Sequence, residues 1–143
     1  LTYGIYSYMQ DMDHAELLAV STTTKNENVP EMLSLIRAEF EKMTNAPITE
    51  TELKNAKSYL IGSLPLSLTS TDKIAGLLLS LQLDNLPSDY LKIREEKINA
   101  VTVEDVQRVS QKLLAPENFI TVLVGQPSEI DGATIVKTLP NVE

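Results

Sequence analysis

One histidine and its neighbouring carboxylates form the densest group of side chains that can bind a metal ion or transfer a proton in the sequence. His14 lies in the segment Asp11-Met12-Asp13-His14-Ala15-Glu16, and it is the only histidine among 143 residues. A catalytic zinc site generally needs three protein ligands, and the sequence has no second histidine and no cysteine to complete one. The segment also lacks the glycine that a twelve-residue calcium loop needs for its sharp turn. We therefore interpret these residues as a polar turn rather than as a metal cluster.

Other catalytic and nucleotide-binding patterns are missing from the sequence. No serine lies in Gly-x-Ser-x-Gly, and Gly62-Ser63 falls inside a helical pattern rather than at a strand-to-helix elbow. The five glycines are isolated, so neither glycine-rich phosphate-binding fingerprint can be written. The neighbouring acids Glu95-Glu96 diverge on a helix and do not form a general acid and base pair. The chain by itself therefore predicts no complete active site.

The balance of acidic and basic residues indicates which classes of binding partner to expect. The sequence has 12 basic and 20 acidic residues, a formal net charge of −8, and its basic residues stand singly among acids. Nucleic-acid binders usually carry a basic stripe, so we expect no nucleic-acid partner; a solvated acidic surface and weak steering of cationic peptides both stay open. We find no apolar run of about 18 residues, so we expect no membrane span. Zero cysteine fits bacterial periplasm, cytosol or mitochondrial matrix alike.

The hydrophobic pattern predicts an α+β fold in which these residues must be positioned. Residues 1–9 and 15–24 are typical of two strands joined by a tight turn, which favours an antiparallel pair. A third strand, with apolar residues on both faces, is predicted over 119–124. Helical spacing or capping pairs predict helices over 28–43, 49–64, 69–83, 87–98 and 102–113. We therefore expect several helices covering an antiparallel or mixed sheet, with the almost wholly apolar helix 69–83 at the centre of the core.

We expect this domain to be incomplete at its N-terminus. The strand at 1–9 has no sequence before it, whereas a strand normally needs neighbours on both sides. The predicted αβ domain covers residues 1–126. Residues 127–143 carry Pro127, Gly132 and Pro140 and are interpreted as a trailing segment, with 135–136 as a candidate short strand.

Four segments, taken together in this order and spacing, resemble one known family. They are Leu1-Thr2-Tyr3-Gly4-Ile5-Tyr6-Ser7, Glu52-Leu53-Lys54-Asn55-Ala56-Lys57 running into Leu60-Ile61-Gly62-Ser63-Leu64, Val101-Thr102-Val103-Glu104-Asp105-Val106, and Val122-Leu123-Val124-Gly125. The chain resembles the C-terminal, metal-free domain of the pitrilysin/insulinase family of zinc peptidases over about residues 1–125. The resemblance implies paired αβ domains in a clamshell, with zinc bound by His-x-x-Glu-His in an N-terminal domain. That motif does not occur in this sequence.

The resemblance also implies a role for Tyr3. In the family, a tyrosine and an arginine seven positions before it reach the substrate carbonyl and the developing oxyanion. Tyr3 matches that tyrosine, while the arginine would fall before Leu1. A phenol donor suits this role because it can stabilise negative charge as it develops. From the residues alone, packing across the sheet is the alternative for Tyr3, and a regular strand would place Tyr6 and Tyr8 on the opposite face as packing residues.

Two functions from different classes follow from the resemblance. In the first, the chain is the substrate-binding, metal-free domain of a zinc-dependent endopeptidase that cleaves peptides in a closed chamber. Its partners would be the peptide and a zinc-bearing N-terminal domain or partner subunit, in a homodimer or a heterodimer, and the chain itself would hold no cofactor. In the alternative, it is a catalytically inactive scaffolding subunit of the same fold. We expect the chain alone not to be catalytic in either case.

Overall fold

The computed structural model describes residues 1–12, 14–87, 89–128 and 130–138. Within these ranges the order is two strands, a short 3-10 turn, five helices and a second 3-10 turn, which confirms the α+β class. The elements are β1 (Thr2–Met12), β2 (Ala15–Thr24), a 3-10 turn (Asn26–Asn28), α1 (Val29–Asn45), α2 (Glu50–Ser67), α3 (Thr71–Leu83), α4 (Tyr90–Ala100), α5 (Val103–Leu113) and a 3-10 turn (Pro116–Asn118). The chain divides into two compact units. A hairpin unit comprises residues 1–41 and the chain from Pro116 onward, and a helical unit comprises residues 42–115.

β1 and β2 form the predicted antiparallel hairpin. From Ile5 paired with Thr22 to Met12 paired with Ala15, the register is continuous. Tyrosine, isoleucine, valine and threonine favour such strands because their side chains fit a pleated surface. Leu18 and Val20 point to the half-buried face of the hairpin.

The prediction of a third strand over 119–124 is wrong. Within the described residues, the sheet contains β1 and β2 alone. The segment 119–124 belongs to no ladder, although both of its ends are held. The ring of Phe119 stacks on Phe40 with 4.8 Å between centroids, and the Gln126 N–H donates to Asn26 Oδ1 at 3.3 Å. Between these ends the segment leaves its apolar side chains largely exposed, notably Ile120, Val122 and Val124. A run of β-favouring residues supplies propensity, but a strand also needs a neighbour with free backbone groups. The candidate strand at 135–136 is likewise not formed.

Local hydrogen bonds fix the starts of three helices. The Thr49 hydroxyl accepts from the Glu52 N–H, and the Glu52 carboxylate accepts from the Thr49 N–H, which forms a capping box at the start of α2. Thr102 and Asp105 repeat this arrangement at α5, and the Ser70 hydroxyl accepts the Lys73 N–H at α3. These caps satisfy donors that a helix leaves unpaired at its first turn. The two predicted capping boxes that start at Thr49 and Thr102 are confirmed.

Two helix limits differ from the prediction. α2 continues past Pro65 to Ser67, and the Leu68 N–H donates to the Pro65 carbonyl at 3.3 Å. A proline in the last turn removes one helical hydrogen bond without preventing that turn from closing. α4 begins at Tyr90 rather than at the predicted Pro87-Ser88, and Ser88 lies outside the described residues.

Long polar side chains join the helices of the helical unit. The Arg94 guanidinium on α4 donates two hydrogen bonds of 3.1 Å to the Leu60 carbonyl on α2. Lys57 on α2 donates in the other direction, to the Asn99 carbonyl at 2.8 Å. These charge-assisted bonds fix α4 beside α2 because both donors reach backbone oxygens whose positions the helices define.

The last turn of α1 is held by two amides from α5. Gln107 Nε2 donates to the Thr44 carbonyl at 2.7 Å, and Gln111 Nε2 lies 3.4 Å from the same oxygen. The final carbonyls of a helix have no partner inside the helix, so side-chain donors commonly satisfy them. This pair therefore positions α5 against the end of α1.

The prediction that α3 is central to the core is wrong for this chain. Leu81 is buried, but Ile74, Leu78, Leu79 and Leu83 keep between 43% and 71% of their surface exposed. Within the described ranges, the other buried apolar side chains are Met32, Leu53 and Leu114. Apolar composition indicates that a helix favours burial, but it does not say which surface covers it. No helix within the described ranges has the length and apolar character required to span a bilayer.

Candidate functional site

A β-bulge interrupts the start of β1. Thr2 pairs with Thr24, and the next ladder pair is Ile5 with Thr22. The dipeptide Tyr3-Gly4 therefore opposes a single residue of β2. Such an extra residue disrupts the ladder locally and re-aims the side chains at that point.

The bulge decides which face of the hairpin carries Tyr3. Cross-strand partners share a face, and the partners of Thr2 and Ile5 are two positions apart on β2, so Thr2 and Ile5 lie on one face. Tyr3 follows Thr2 and therefore lies on the other face. Tyr6 follows Ile5 and lies on that other face as well, together with Tyr8. The expectation from a regular strand, which separated Tyr3 from Tyr6 and Tyr8, is wrong because of the extra residue.

This side of the hairpin, which we call the tyrosine face, carries no charged residue among those described. Its members are Tyr3, Tyr6, Tyr8, Gln10 and Met12 from β1, and Ala15, Leu17, Ala19, Ser21 and Thr23 from β2. The chain as a whole carries a net charge of −8, so an uncharged face of this size is a local departure from the general surface. Tyrosine is enriched where proteins bind partners because it offers a large rigid ring and a polar hydroxyl.

The three tyrosines differ in their surroundings. Tyr3 is fully exposed, so the structure does not show it packed across the sheet, and Tyr8 is about half exposed. Tyr6 is 70% exposed, and its ring lies over Gly4, where an added Cβ would stand 2.8 Å from the Tyr6 hydroxyl oxygen. The absence of a side chain at Gly4 therefore makes room for the Tyr6 ring beside the bulge.

Two threonine hydroxyls satisfy the backbone of the bulge. The Thr2 hydroxyl oxygen accepts from the Gly4 N–H at 3.2 Å, and it lies 2.8 Å from the Thr23 carbonyl oxygen and 2.9 Å from that of Gly4. The Thr22 hydroxyl lies 3.0 Å from the Gly4 carbonyl oxygen and 3.1 Å from the Thr2 hydroxyl. Each hydroxyl has one proton. If Thr2 donates to the Thr23 carbonyl and Thr22 donates to the Gly4 carbonyl, both backbone groups of Gly4 are satisfied.

The histidine segment lies at the turn end of the hairpin, where Met12 and Ala15 belong to the tyrosine face. His14 is exposed in the turn between the strands, as the polar-turn interpretation predicted, and Asp13 lies outside the described residues. Asp11 and Glu16 oppose each other across the hairpin, and their register places them on the half-buried side. No group of three metal-binding side chains occurs in the part of the chain that the structure describes.

Among the described residues, two carboxyl groups have clearly shifted pKa values, and both belong to helix caps. The backbone N–H of Thr49 lowers the pKa of Glu52, and the backbone N–H of Thr102 lowers that of Asp105. Hydrogen bonds to the charged form favour ionisation, which is how a capping carboxylate behaves. These shifts therefore report helix stabilisation.

A cleft of about 330 Å³ lies along α2. Lys54 and Lys57 line it, and the Lys57 ammonium already donates to the Asn99 carbonyl. The cleft is open to solvent along one side of α2. The hydrogen bond from Lys57 to Asn99 therefore joins α2 to the end of α4 at this cleft.

Comparison with known proteins finds a family match over the first part of the chain. Residues 1–60 match the family model of the peptidase M16 inactive domain. This matched range includes β1 with its bulge, β2 and α1. No curated protein matches the sequence significantly.

A solved structure agrees in fold over most of the chain. It is the crystal structure of "the Inactive Peptidase Domain of a Putative Zinc Protease from Bordetella parapertussis", with a TM-score of 0.64 and 16% identity. The similarity covers 90% of this chain and 72% of that chain. The resemblance to the metal-free domain of the pitrilysin/insulinase peptidases is thus confirmed, by profile for residues 1–60 and by fold for most of the chain.

Sequence reasoning missed the bulge and its two threonines. A signal was present, since an isolated glycine inside a strand pattern often marks a bulge, and Gly4 is such a glycine. The glycine could not indicate that the hydroxyls of Thr2 and Thr22 would bond the bulge. Which side chains reach the bulge depends on the register between β1 and β2. Tyr3 was singled out through the family resemblance alone, and its catalytic role stays a prediction.

Proposed function

We propose that this chain is the substrate-binding, metal-free domain of a zinc-dependent endopeptidase that cleaves peptides in a closed chamber. The observation that carries the proposal is the full exposure of Tyr3 on an uncharged face, within the range that matches the peptidase M16 inactive domain. The domain boundary at residue 126 remains part of this proposal.

In this function the Tyr3 phenol donates a hydrogen bond to the carbonyl oxygen of the bound peptide. A donor aimed at an oxygen that gains negative charge lowers the barrier because it binds the transition state more strongly than the substrate. The proposal pairs it with an arginine seven positions before Tyr3 in the full-length protein. The tyrosine face would lie along an extended peptide, whose alternating side chains match the alternation of a strand.

Zinc is proposed to lie outside this chain. Because the described residues hold no set of three metal-binding side chains, they do not fit a zinc ion. An N-terminal domain of the same protein or a partner subunit would bind the metal, in a homodimer or a heterodimer. The residues of this chain would bind and orient the peptide.

A second candidate function is an inactive scaffolding subunit of the same fold. The exposed apolar side chains of α3 favour it, because a partner subunit would remove them from water. Both functions need a partner. They differ in whether Tyr3 affects a reaction.

The experiment is a comparison of two conservative variants in the complete protein with its zinc-bearing domain or subunit. Tyr3→Phe should lower kcat/KM about 100-fold, as expected when one oxyanion donor is lost. Tyr59→Phe is the matched control, because Tyr59 is an exposed tyrosine on α2. An unchanged rate for Tyr3→Phe would overturn the proposed role. Peptidase activity that is undetectable even in the assembled wild type would favour the scaffolding function.

A further inference from the structure

We infer that Thr2 and Thr22 are positioning residues for Tyr3, acting through the backbone of the bulge. This inference rests on the proposed function, because it concerns the aim of the Tyr3 phenol. The observation behind it is the set of hydrogen bonds between the two threonine hydroxyls and Gly4.

Tyr3 depends on its backbone for orientation. Its side chain is fully exposed, so no packing within this chain holds the ring. The residues on either side of it are joined directly, because the Gly4 N–H donates to the Thr2 hydroxyl. A threonine side chain that bonds the backbone two residues ahead forms a tight local turn. Here the bond from the Gly4 N–H to the Thr2 hydroxyl spans Tyr3 within β1 and constrains the direction of its Cα–Cβ bond.

Thr22 supplies the link from the bulge to the second strand. Its hydroxyl reaches the Gly4 carbonyl oxygen at 3.0 Å, across the hairpin. A bulge removes regular ladder bonds at this point, so its backbone would otherwise be held by neighbouring pairs alone. With the Thr2 hydroxyl donating to the Thr23 carbonyl of β2, and the Thr22 hydroxyl of β2 donating to the Gly4 carbonyl of β1, two hydrogen bonds tie the bulge to β2. Both links depend on hydroxyl groups that valine would lack at nearly the same volume.

The two threonines should influence the reaction more than the stability of the protein. The hydrogen bonds of the bulge are exposed or only partly buried, so water can replace a lost partner and their net contribution to stability is small. Positioning is more demanding, because a displacement of about 1 Å at a reacting group can lower a rate by up to about 100-fold. A loosened bulge would let the Tyr3 hydroxyl sample positions out of reach of the substrate carbonyl.

The test uses Thr2→Val and Thr22→Val in the complete protein with its zinc-bearing domain or subunit. Each variant should lower kcat about tenfold and change KM by less than about twofold. Thr2→Ser keeps the hydroxyl and should restore most of the activity. Thr24→Val is the matched control, because the Thr24 hydroxyl donates to the Leu1 carbonyl and lies outside the bulge.

A double-variant cycle separates positioning from a general structural effect. If Thr2 acts through the Tyr3 hydroxyl, Thr2→Val should have little further effect on kcat in a Tyr3→Phe background. An equal loss in both backgrounds would overturn the inference. Amide hydrogen exchange gives a second readout, because Thr2→Val should speed exchange at Gly4 and Thr24→Val should not.

The outcomes also distinguish this inference from the function on which it rests. If Tyr3→Phe lowers kcat and both valine variants do not, the positioning role is wrong and the proposed function stands. If Tyr3→Phe leaves kcat unchanged, both fail. A Thr2→Ser variant as slow as Thr2→Val would also contradict the role of the hydroxyl.

Discussion

The hairpin unit and the helical unit use the same chemical group in different ways. In each, a threonine hydroxyl satisfies backbone groups that the regular structure leaves unpaired. Thr49 and Thr102 do so within three residues, at the first turns of α2 and α5. Thr2 and Thr22 do so at the bulge, where Thr22 lies 18 residues from Gly4.

The helix caps and the bulge differ in whether they change the exposure of a neighbouring side chain. A helix cap stabilises its helix and turns no new side chain toward solvent. The bulge instead moves Tyr3 to the uncharged face beside Tyr6 and Tyr8. Stability and site geometry should therefore respond to different substitutions: variants in the helical unit should change the free energy of unfolding, and variants at the bulge should change a rate.

The largest effect on stability is expected at Leu53, which is buried on α2. Leu53→Ala should lower the free energy of unfolding by about 2–4 kcal/mol, through lost burial and the cavity left behind. Urea unfolding followed by far-UV circular dichroism measures it. Leu66→Ala is the control, because Leu66 is a leucine of the same helix with 78% of its surface exposed. If Tyr3→Phe also lowered the free energy of unfolding by this much, the expected difference between the hairpin unit and the helical unit would be contradicted.

A smaller loss is expected at the cap of α2. Thr49→Ala should lower the free energy of unfolding by about 1 kcal/mol, since the Glu52 N–H loses its acceptor. Thr51→Ala, at the second position of α2, should change stability by less than about 0.5 kcal/mol. The same urea titration reads both variants. Equal losses at Thr49 and Thr51 would remove the cap as the cause.

Two glycines sharpen the comparison further. Gly62 lies within α2 with open space around an added Cβ, so Gly62→Ala should stabilise the protein by about 0.5–1 kcal/mol. At Gly4 the added Cβ would meet the Tyr6 ring, so Gly4→Ala should displace that ring. Thermal unfolding tests the first change, and near-UV circular dichroism of the tyrosines tests the second. An unchanged tyrosine signal in Gly4→Ala would contradict the close approach.

The smallest effect on stability is expected when the pH is lowered. The pKa of Glu52 is lowered from 4.5 and that of Asp105 from 3.8, in each case mainly by a threonine N–H. A group whose folded pKa is below its unfolded pKa stabilises the fold above the unfolded value. That contribution is lost as pH falls through the folded pKa. Stability should therefore decline below about pH 4.5.

Glu52→Gln and Asp105→Asn together provide the check on that decline. Both amides keep an acceptor oxygen for the cap but do not titrate in this range. Melting temperatures from about pH 6 to about pH 3 should fall less steeply in the double variant than in the wild type. Parallel curves would show that the caps do not carry this acid sensitivity.

Sequence reasoning succeeded where the physical cause is local. The capping boxes at Thr49 and Thr102 are visible in the sequence, because a hydroxyl and a carboxylate three residues apart can reach each other's N–H. The hairpin followed from two alternating strands close in sequence. Tyr3 was found through its likeness to a family, and composition alone would not have selected it.

Tertiary structure decided the features that depend on a distant partner. The apolar run at 119–124 has strand propensity but no paired neighbour among the described residues, and α3 has apolar character but an incomplete cover. The face that carries Tyr3 was set by the register between β1 and β2, because one extra residue reverses the alternation of a strand. The sequence by itself determined which helices are capped and which strands alternate. Pairing across the chain determined where the side chains point, because register is a relation between two segments.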